Sequence, residues 1–202
     1  MDNEFVGLTF DDGPHPDSTP ALLAALDAAQ ATATFFLWGE RVRRHPQHAR
    51  ALRAAGMSLG NHSFTHPYLT RLTTGDLVAE LARTQRAITE ICDDVPVMFR
   101  PPYGDTDERI RSTVAGLQMS EVLWNVDTRD WAGQSTEQIV QAASTVEPGG
   151  IILLHDGGYR TTVEALPLIL RALADRGLRT GRIVASAPDP AAGGSPVRVI
   201  EP

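Results

Sequence analysis

The sequence predicts an α/β fold, and within that class a distorted (β/α) barrel of seven or eight strands. Three observations carry the expectation. Short apolar runs alternate with longer segments of helical periodicity almost to the end of the chain, the mark of βαβ units and a parallel sheet. At 202 residues the chain holds one domain with a sizeable core and is too short for two, so a single domain over 1–202 is expected. Nearly every unusual polar cluster follows directly on an apolar run. Loops after the strands of a (β/α) barrel converge at one end, whereas an open doubly wound sheet gathers fewer strands at one switch point.

The strand-like runs are FVGLTF (5–10), ATFFLW (33–38), MSLGN (57–61), VMFR (97–100), SEVLWNV (120–126), GIILLH (150–155) and RTGRIVA (179–185). Helices between them have readable ends. Thr19 before Pro20 reads as an N-cap followed by proline at the first helical position, and Ser135 with Gln138 as a capping box. The longest helix is expected from about Thr74 to Ile91, with Leu77, Leu81, Ile88 and Ile91 on one face, and Gly177 should end the helix that begins near Glu164. Residues 186–195 are rich in Pro, Ala and Gly and read as a surface excursion before a last strand, PVRVI.

Composition narrows the function classes. A net charge of −7, with 18 scattered basic residues, argues against a nucleic-acid partner and favours an uncharged substrate. No run of 18 apolar residues occurs, so no membrane-spanning segment is expected. The single Cys92 cannot close an internal disulfide and reads as a small buried apolar residue. The chain opens MDNEF and runs straight into a strand, so an export signal is absent from it or has been removed.

The polar clusters suggest chemistry. His62 and His66, at i and i+4, would share one side of a helical turn and suit a metal ion, although that spacing alone is equally compatible with a structural pair. Ser63, where a zincin protease needs glutamate, excludes that reading, and Pro67 ends the turn at His66 and sets it at a loop mouth. One carboxylate of Asp11 and Asp12 would complete a two-histidine, one-aspartate face, and the other could act as a base kept ionised by the cation. In isolation the pair is equally compatible with a turn in which an aspartate bonds backbone amides before Gly13. Arg100, stiffened by the prolines after it, can clamp a carboxylate or be a surface residue. Trp131 can wall a pocket or fill the core, while Asp130 can orient an imidazole. His155 closes an apolar strand, where burial and a nearby carboxylate pull its proton affinity in opposite directions, as suits a general acid; standing alone it reads more readily as a satisfied histidine at the edge of the core.

Taken in order, TFDDG, NHSFTH, RPPYG, DTRDW and ILLHD resemble the five motifs of the polysaccharide deacetylases, carbohydrate esterase family 4, also called the NodB-homology domain; the likeness covers roughly residues 5–184. The resemblance implies a distorted (β/α) barrel and a metal-dependent hydrolase. It implies Asp11 as general base, Asp12, His62 and His66 as ligands of zinc, cobalt or another divalent ion, and His155 as general acid. It further implies that Arg100 tethers Asp11, that Asp130 orients His155, that the Tyr103 amide joins an oxyanion hole, and that Trp131 and Leu153 line the acetyl-methyl pocket. The implied substrates are acetylated polysaccharides, with acetate as product. PHPDSTP after the first motif leans toward N-acetylglucosamine polymers or oligomers, chitin or peptidoglycan, while VLWNVDTRDW and FRPPYG also resemble xylan O-deacetylases. A secreted or envelope-associated monomer is expected. Cyclic-imide hydrolysis fits less well, because relatives with that chemistry usually lose motif parts intact here. A non-haem iron oxygenase would be expected on a jelly roll with closely spaced His-x-Asp, and a sugar-binding module without catalysis would need a broken acid, base or ligand.

Overall fold

The computed structural model describes residues 4–185 and 197–200. Its strands are β1 (Phe5–Asp11), β2 (Thr34–Leu37), β3 (Ser58–Asn61), β4 (Met98–Phe99), β5 (Ser120–Glu121), β6 (Val126–Asp127), β7 (Ile151–His155), β8 (Arg179–Thr180), β9 (Arg182–Ala185) and β10 (Val197–Ile200). The helices are α1 (Ser18–Ala28), α2 (Gly39–Arg44), α3 (Pro46–Ala54), α4 (Thr74–Cys92), α5 (Glu108–Gly116), α6 (Thr136–Ala143) and α7 (Arg160–Asp175). Strands β5-β4-β3-β2-β1-β7-β6 form one parallel sheet in that order, and β8 pairs with the start of β1.

This order forces the sheet to curl. Strands β5 and β6 lie at opposite edges, yet only Val122–Asn125 join them. Four linking residues reach about 17 Å at full extension, whereas seven strands laid flat would span about 29 Å. The edges must therefore approach each other, which makes the distorted barrel that the sequence predicted, left open between β5 and β6.

Two expected strands are divided. SEVLWNV is β5 and β6 separated by the crossing, because Arg100 takes up the carbonyls of Val122 and Leu123 at 3.0 Å each and the chain changes sheet edge there. RTGRIVA is β8 against β1, then β9 antiparallel to β10, the last of these lying within the expected PVRVI run. The excursion expected at 186–195 lies outside the described residues.

The barrel's inside and outside follow from alternation along β1. Val6, Leu8 and Phe10 point outward and pack with Phe35, Ile152 and Leu154 against Leu22, Leu26, Leu52, Leu166 and Ile169 of the surrounding helices. Gly7, Thr9 and Asp11 point inward, where Phe36, Met98, Val122 and Ile151 fill the centre. Burying such side chains stabilises by about 1.5–3 kcal/mol each.

Helix ends largely follow the sequence. Ser135 and Gln138 form the reciprocal capping box, α4 runs one residue beyond its expected end, and Gly177 stands at φ 72° just past α7. Thr19 differs: α1 begins at Ser18, and the Thr19 hydroxyl bonds Asp156 across the sheet and accepts from the His15 amide, so it is not a cap. Cys92 is buried, as expected, and burial pushes its thiol up to about 11. No described helix is long and apolar enough to cross a membrane.

Candidate active site

The C-terminal ends of β1, β3, β4 and β7, with the loop after β6, meet at one end of the barrel and carry the polar clusters. Asp11 ends β1 directly opposite His155 of β7 and Phe36 of β2. Its inward side chain shares Arg100 with Thr9, two residues back on the same face: the guanidinium Nη1 donates to Asp11 Oδ1 at 2.8 Å and to Thr9 Oγ1 at 2.7 Å. Arg100 is wholly buried, stacked over the Phe36 ring, and with its bonds to Val122 and Leu123 it ties the start of the crossing after β5 to β1. Burial weakens its hold on its proton, and the Asp11 carboxylate opposes that loss.

Asp12 would point away from Asp11 in a regular strand, but it adopts φ 71°, and the turn brings both carboxylates to one site. Arg41 from α2 fixes the turn by donating to the Asp12 carbonyl at 3.0 Å, while its guanidinium lies over Trp38. Asp12 Oδ1 is 3.2 Å from His66 Nε2 and 3.5 Å from His62 Nε2, and His62 Nε2 is 3.7 Å from Asp11 Oδ2. Burial alone would raise the Asp12 carboxyl, but the two imidazoles outweigh it and hold it far below the ordinary carboxylate range.

The histidines do not sit on a helical turn. Ser63 and His66 both take left-handed backbone, φ 62° and 59°, and it is this loop that brings His66 back beside His62. Their rings meet edge to face at 4.9 Å. His62 Nδ1 lies 2.8 Å from the Arg100 carbonyl, which only accepts; Nδ1 therefore carries hydrogen, and the ring is held with Nε2 turned toward Asp12. His66 is packed by Trp38 on one side and Tyr103 on another.

These atoms fit a divalent cation. One donor atom from each of Asp12, His62 and His66 lies within 4.8 Å of the others, and Asp12 Oδ1 is buried without a hydrogen-bond donor among the described residues. An orphaned buried carboxylate oxygen facing two imidazole nitrogens is costly unless a cation satisfies it. Two nitrogens and one oxygen suit zinc and other first-row divalent ions.

Across the site His155 Nδ1 is 2.7 Å from Asp130 Oδ1. Asp130 Oδ2 accepts from the His155 amide at 2.8 Å and from the Thr162 hydroxyl at 2.6 Å, so the carboxylate is fully used and its direction fixed. Burial would lower the His155 pKa, but the Asp130 bond and charge, with Asp11 and Asp12 beyond, raise it above the ordinary histidine value. Asp130 reaches this place because Arg129 takes φ 52° before it, which leaves Trp131 50% exposed at the rim rather than in the core. Leu153 is buried on β7 beside the loop, its carbonyl held by the Thr128 hydroxyl. Tyr103 also takes left-handed backbone, φ 62°, and its ring stacks on Tyr68, which in turn lies under Arg71.

Two residues of this centre escaped sequence reading. Thr9 carries no signal in an apolar strand. Asp156 follows His155, is buried against the Ser18 and Thr19 hydroxyls, and leaves no room for a side chain at Gly13, where a Cβ would stand 2.6 Å from its Oδ2. An acid directly after GIILLH was its only visible sign. A surface cavity of about 450 Å³ between α1 and α7 contains none of these residues.

The family model described as polysaccharide deacetylase matches residues 1–122. A solved family 4 carbohydrate esterase from Streptomyces lividans, in complex with acetate, superposes with a TM-score of 0.89 at 42% identity, covering 100% of both chains. The peptidoglycan-N-acetylmuramic acid deacetylase PdaC of Bacillus subtilis is 37% identical over 85% of this chain, and the match spans 36% of that protein. A bifunctional xylanase/xylan deacetylase of Cellvibrio japonicus is 37% identical over 89% of this chain and 27% of its own length. A chitooligosaccharide deacetylase of Sinorhizobium fredii is 38% identical, with 85% of this chain and 86% of that one covered. The chain thus spans about a third of PdaC, about a quarter of the Cellvibrio protein and most of the Sinorhizobium one. With the curled parallel barrel and its five loops, these matches show that the chain belongs to the polysaccharide deacetylase family, carbohydrate esterase family 4.

Proposed function

We propose that the chain is a metal-dependent deacetylase that removes acetyl groups from N-acetylglucosamine-containing polysaccharides or oligosaccharides, chitin oligomers or peptidoglycan, and releases acetate. The observation that carries this reading is the placement of two charge pairs, Asp11 with Arg100 and His155 with Asp130, beside the Asp12, His62 and His66 triad at one end of the barrel. A carboxylate and an imidazolium flanking a cation site suit hydrolysis of an amide or ester, which needs one proton removed and one delivered.

A divalent cation, zinc first and cobalt as a substitute, held by Asp12, His62 and His66 would supply Lewis acidity and lower the pKa of water at the site. Asp11, held by Arg100, accepts the proton of the attacking water. The Tyr103 amide donates to the oxygen on which charge develops. His155, kept protonated by Asp130, gives its proton to the departing sugar nitrogen. Trp131 and Leu153 enclose the acetyl methyl group. Residues 1–202 act as a single catalytic domain, a monomer working on substrate outside the cell or in its envelope.

A second reading rests on the name of the Cellvibrio relative, a xylan deacetylase. The same groups would release O-acetyl from xylan, because His155 can protonate a sugar oxygen as well as a nitrogen. Mass spectrometry of the products from N-acetylchitopentaose, acetylated xylan and peptidoglycan fragments under one set of conditions separates the two. Loss of acetyl groups chiefly from the chitin or peptidoglycan substrates supports the first reading, and exclusive action on xylan overturns it. The base is tested separately: Asp11→Asn should lower turnover by about 10²–10⁴, and turnover within a few-fold of the parent in folded protein removes Asp11 from that role.

A further inference from the structure

The loop between the two histidines is bent against its own preferences. Left-handed backbone at a serine and a histidine costs on the order of 1 kcal/mol or more at each, and it persists only where surroundings enforce it. Those surroundings come from two helices. From α2 the amides of Gly39 and Glu40 donate to the carbonyls of Ser63 and Phe64 at 2.9 and 3.0 Å. From α4 a single carboxylate grips the other side: Glu80 Oε2 accepts from the amides of Phe64 and Thr65 at 2.9 and 2.7 Å, and Oε1 from the Thr65 hydroxyl at 3.0 Å. Within the loop Asn61 Oδ1 takes the Ser63 amide at 3.0 Å and Ser63 Oγ the His66 amide at 3.2 Å.

Glu80 is out of place by composition. It stands on the apolar stripe of α4, among Leu77, Leu81, Thr84, Ala87 and Ile88, and is buried. A carboxylate there is costly unless its oxygens are occupied by donors, and here both are. The nearest cation, Arg83 Nη1, is 3.9 Å away, and its guanidinium lies over the Phe64 ring at 3.7 Å, so even this partner clasps the loop. The bonds of Glu80 end on Phe64 and Thr65 and do not touch Asp12, His62 or His66. What they fix is the backbone of positions 64 and 65, and with it the angle at which His66 returns to His62.

We propose that Glu80 is a positioning residue for the cation site: it holds the loop in the conformation that brings His62 and His66 to Asp12, and so sets metal affinity without ligating metal. This rests on the reading of Asp12, His62 and His66 as ligands. Outer partners of this kind typically account for about 10–100-fold in metal affinity. The test is zinc affinity of the metal-free full chain, by competition with a chromophoric chelator, for the parent, His62→Ala, Glu80→Ala and Glu80→Gln, each with its metal-free thermal unfolding curve. Glutamine keeps the geometry: its oxygen accepts both amides, and its NH2 donates to a Thr65 hydroxyl that turns to accept.

The expected result is a loss of about 10–100-fold for Glu80→Ala, with Glu80→Gln within about threefold of the parent. Zinc binding to Glu80→Ala as tight as the parent's overturns the proposal, as does an equal loss in both Glu80 variants, which would make charge and not loop geometry the cause. If Glu80→Ala does not fold, Thr65→Val, which deletes one of the three bonds at an exposed position, takes its place. A loss of threefold or more supports the proposal, and unchanged affinity overturns it. A parent that binds zinc no better than His62→Ala overturns the ligand reading itself and this proposal with it, an outcome separate from a tight parent with an equally tight Glu80→Ala.

Discussion

Replacing Asp130 by asparagine changes one atom and removes one charge from a group whose every bond is accounted for. In the parent, Oδ1 faces His155 Nδ1 at 2.7 Å and Oδ2 accepts from the His155 amide and the Thr162 hydroxyl. An asparagine can be placed in two ways. With its oxygen kept toward the amide and hydroxyl, its NH2 meets Nδ1, which must then accept; the ring is neutral, protonated at Nε2, and the imidazolium is disfavoured. With the amide reversed, NH2 opposes the His155 N–H and leaves a buried donor unmet, at about 1–3 kcal/mol. The first orientation wins, and the raised proton affinity that Asp130 gives His155 against burial disappears.

A neutral imidazole is a poor acid, so with His155 as the proposed general acid the loss should approach that group's whole contribution, about 10²–10⁴ in kcat. The alkaline limb of the kcat profile should move to lower pH. The fold survives, because a charge-assisted hydrogen bond contributes about 1.5–3 kcal/mol of a total of about 5–15 kcal/mol. The sign of the stability effect is fixed by the raised His155 value: the contribution is fully present below the ordinary histidine pKa and is lost as pH rises through the folded one. Acetate release measured across pH, with urea unfolding at pH 6 and pH 9, reads all of this. A kcat within threefold of the parent, with the alkaline limb unmoved, refutes the reasoning.

Two further substitutions separate the framework from the chemistry. Arg100→Met strands a buried carboxylate and frees the carbonyls of Val122 and Leu123, so urea unfolding should show a loss of about 3–5 kcal/mol; a loss under about 1 kcal/mol would contradict its part in tying the crossing after β5 to β1. Burial raises the Asp156 carboxyl to about 7, against the lowering bonds of Ser18 and Thr19. Between about pH 4 and that value the folded chain holds a proton that the unfolded chain releases, so this group's contribution falls as pH rises, by roughly 4 kcal/mol in all at about 1.4 kcal/mol per unit. Asp156→Asn should match the parent at pH 4 and exceed it in stability at pH 8, and parallel pH–stability curves for the two would contradict this.

The barrel was legible because its central strands are uninterrupted apolar runs, and β1, β2 and β7 lie where those runs do. The edge strands were not, because β5 and β6 are two residues each and their limits are set by Arg100 and the crossing rather than by local pattern. The histidine pair was found through a helical spacing that the structure replaces with a loop. Left-handed backbone at Ser63 and His66 is dictated from α2 and α4, which no local window contains. Thr19 looked like a helix cap because its neighbour is proline, while its partner Asp156 stands 137 residues away. Glu80, like the acid after GIILLH, left a trace that could have been read, a charged residue at a core position of an amphipathic helix.

The most direct test of the proposed chemistry is acetate release from N-acetylchitopentaose by chain dialysed against a chelator, then against chelator-free buffer, and reloaded with Zn2+ or Co2+. The metal-free chain should be inactive, and either ion should restore turnover in proportion to the fraction of chain loaded, up to one ion per chain. Turnover that persists in protein verified to be metal-free would contradict the assignment of Asp12, His62 and His66 as the ligands of a cation the reaction requires.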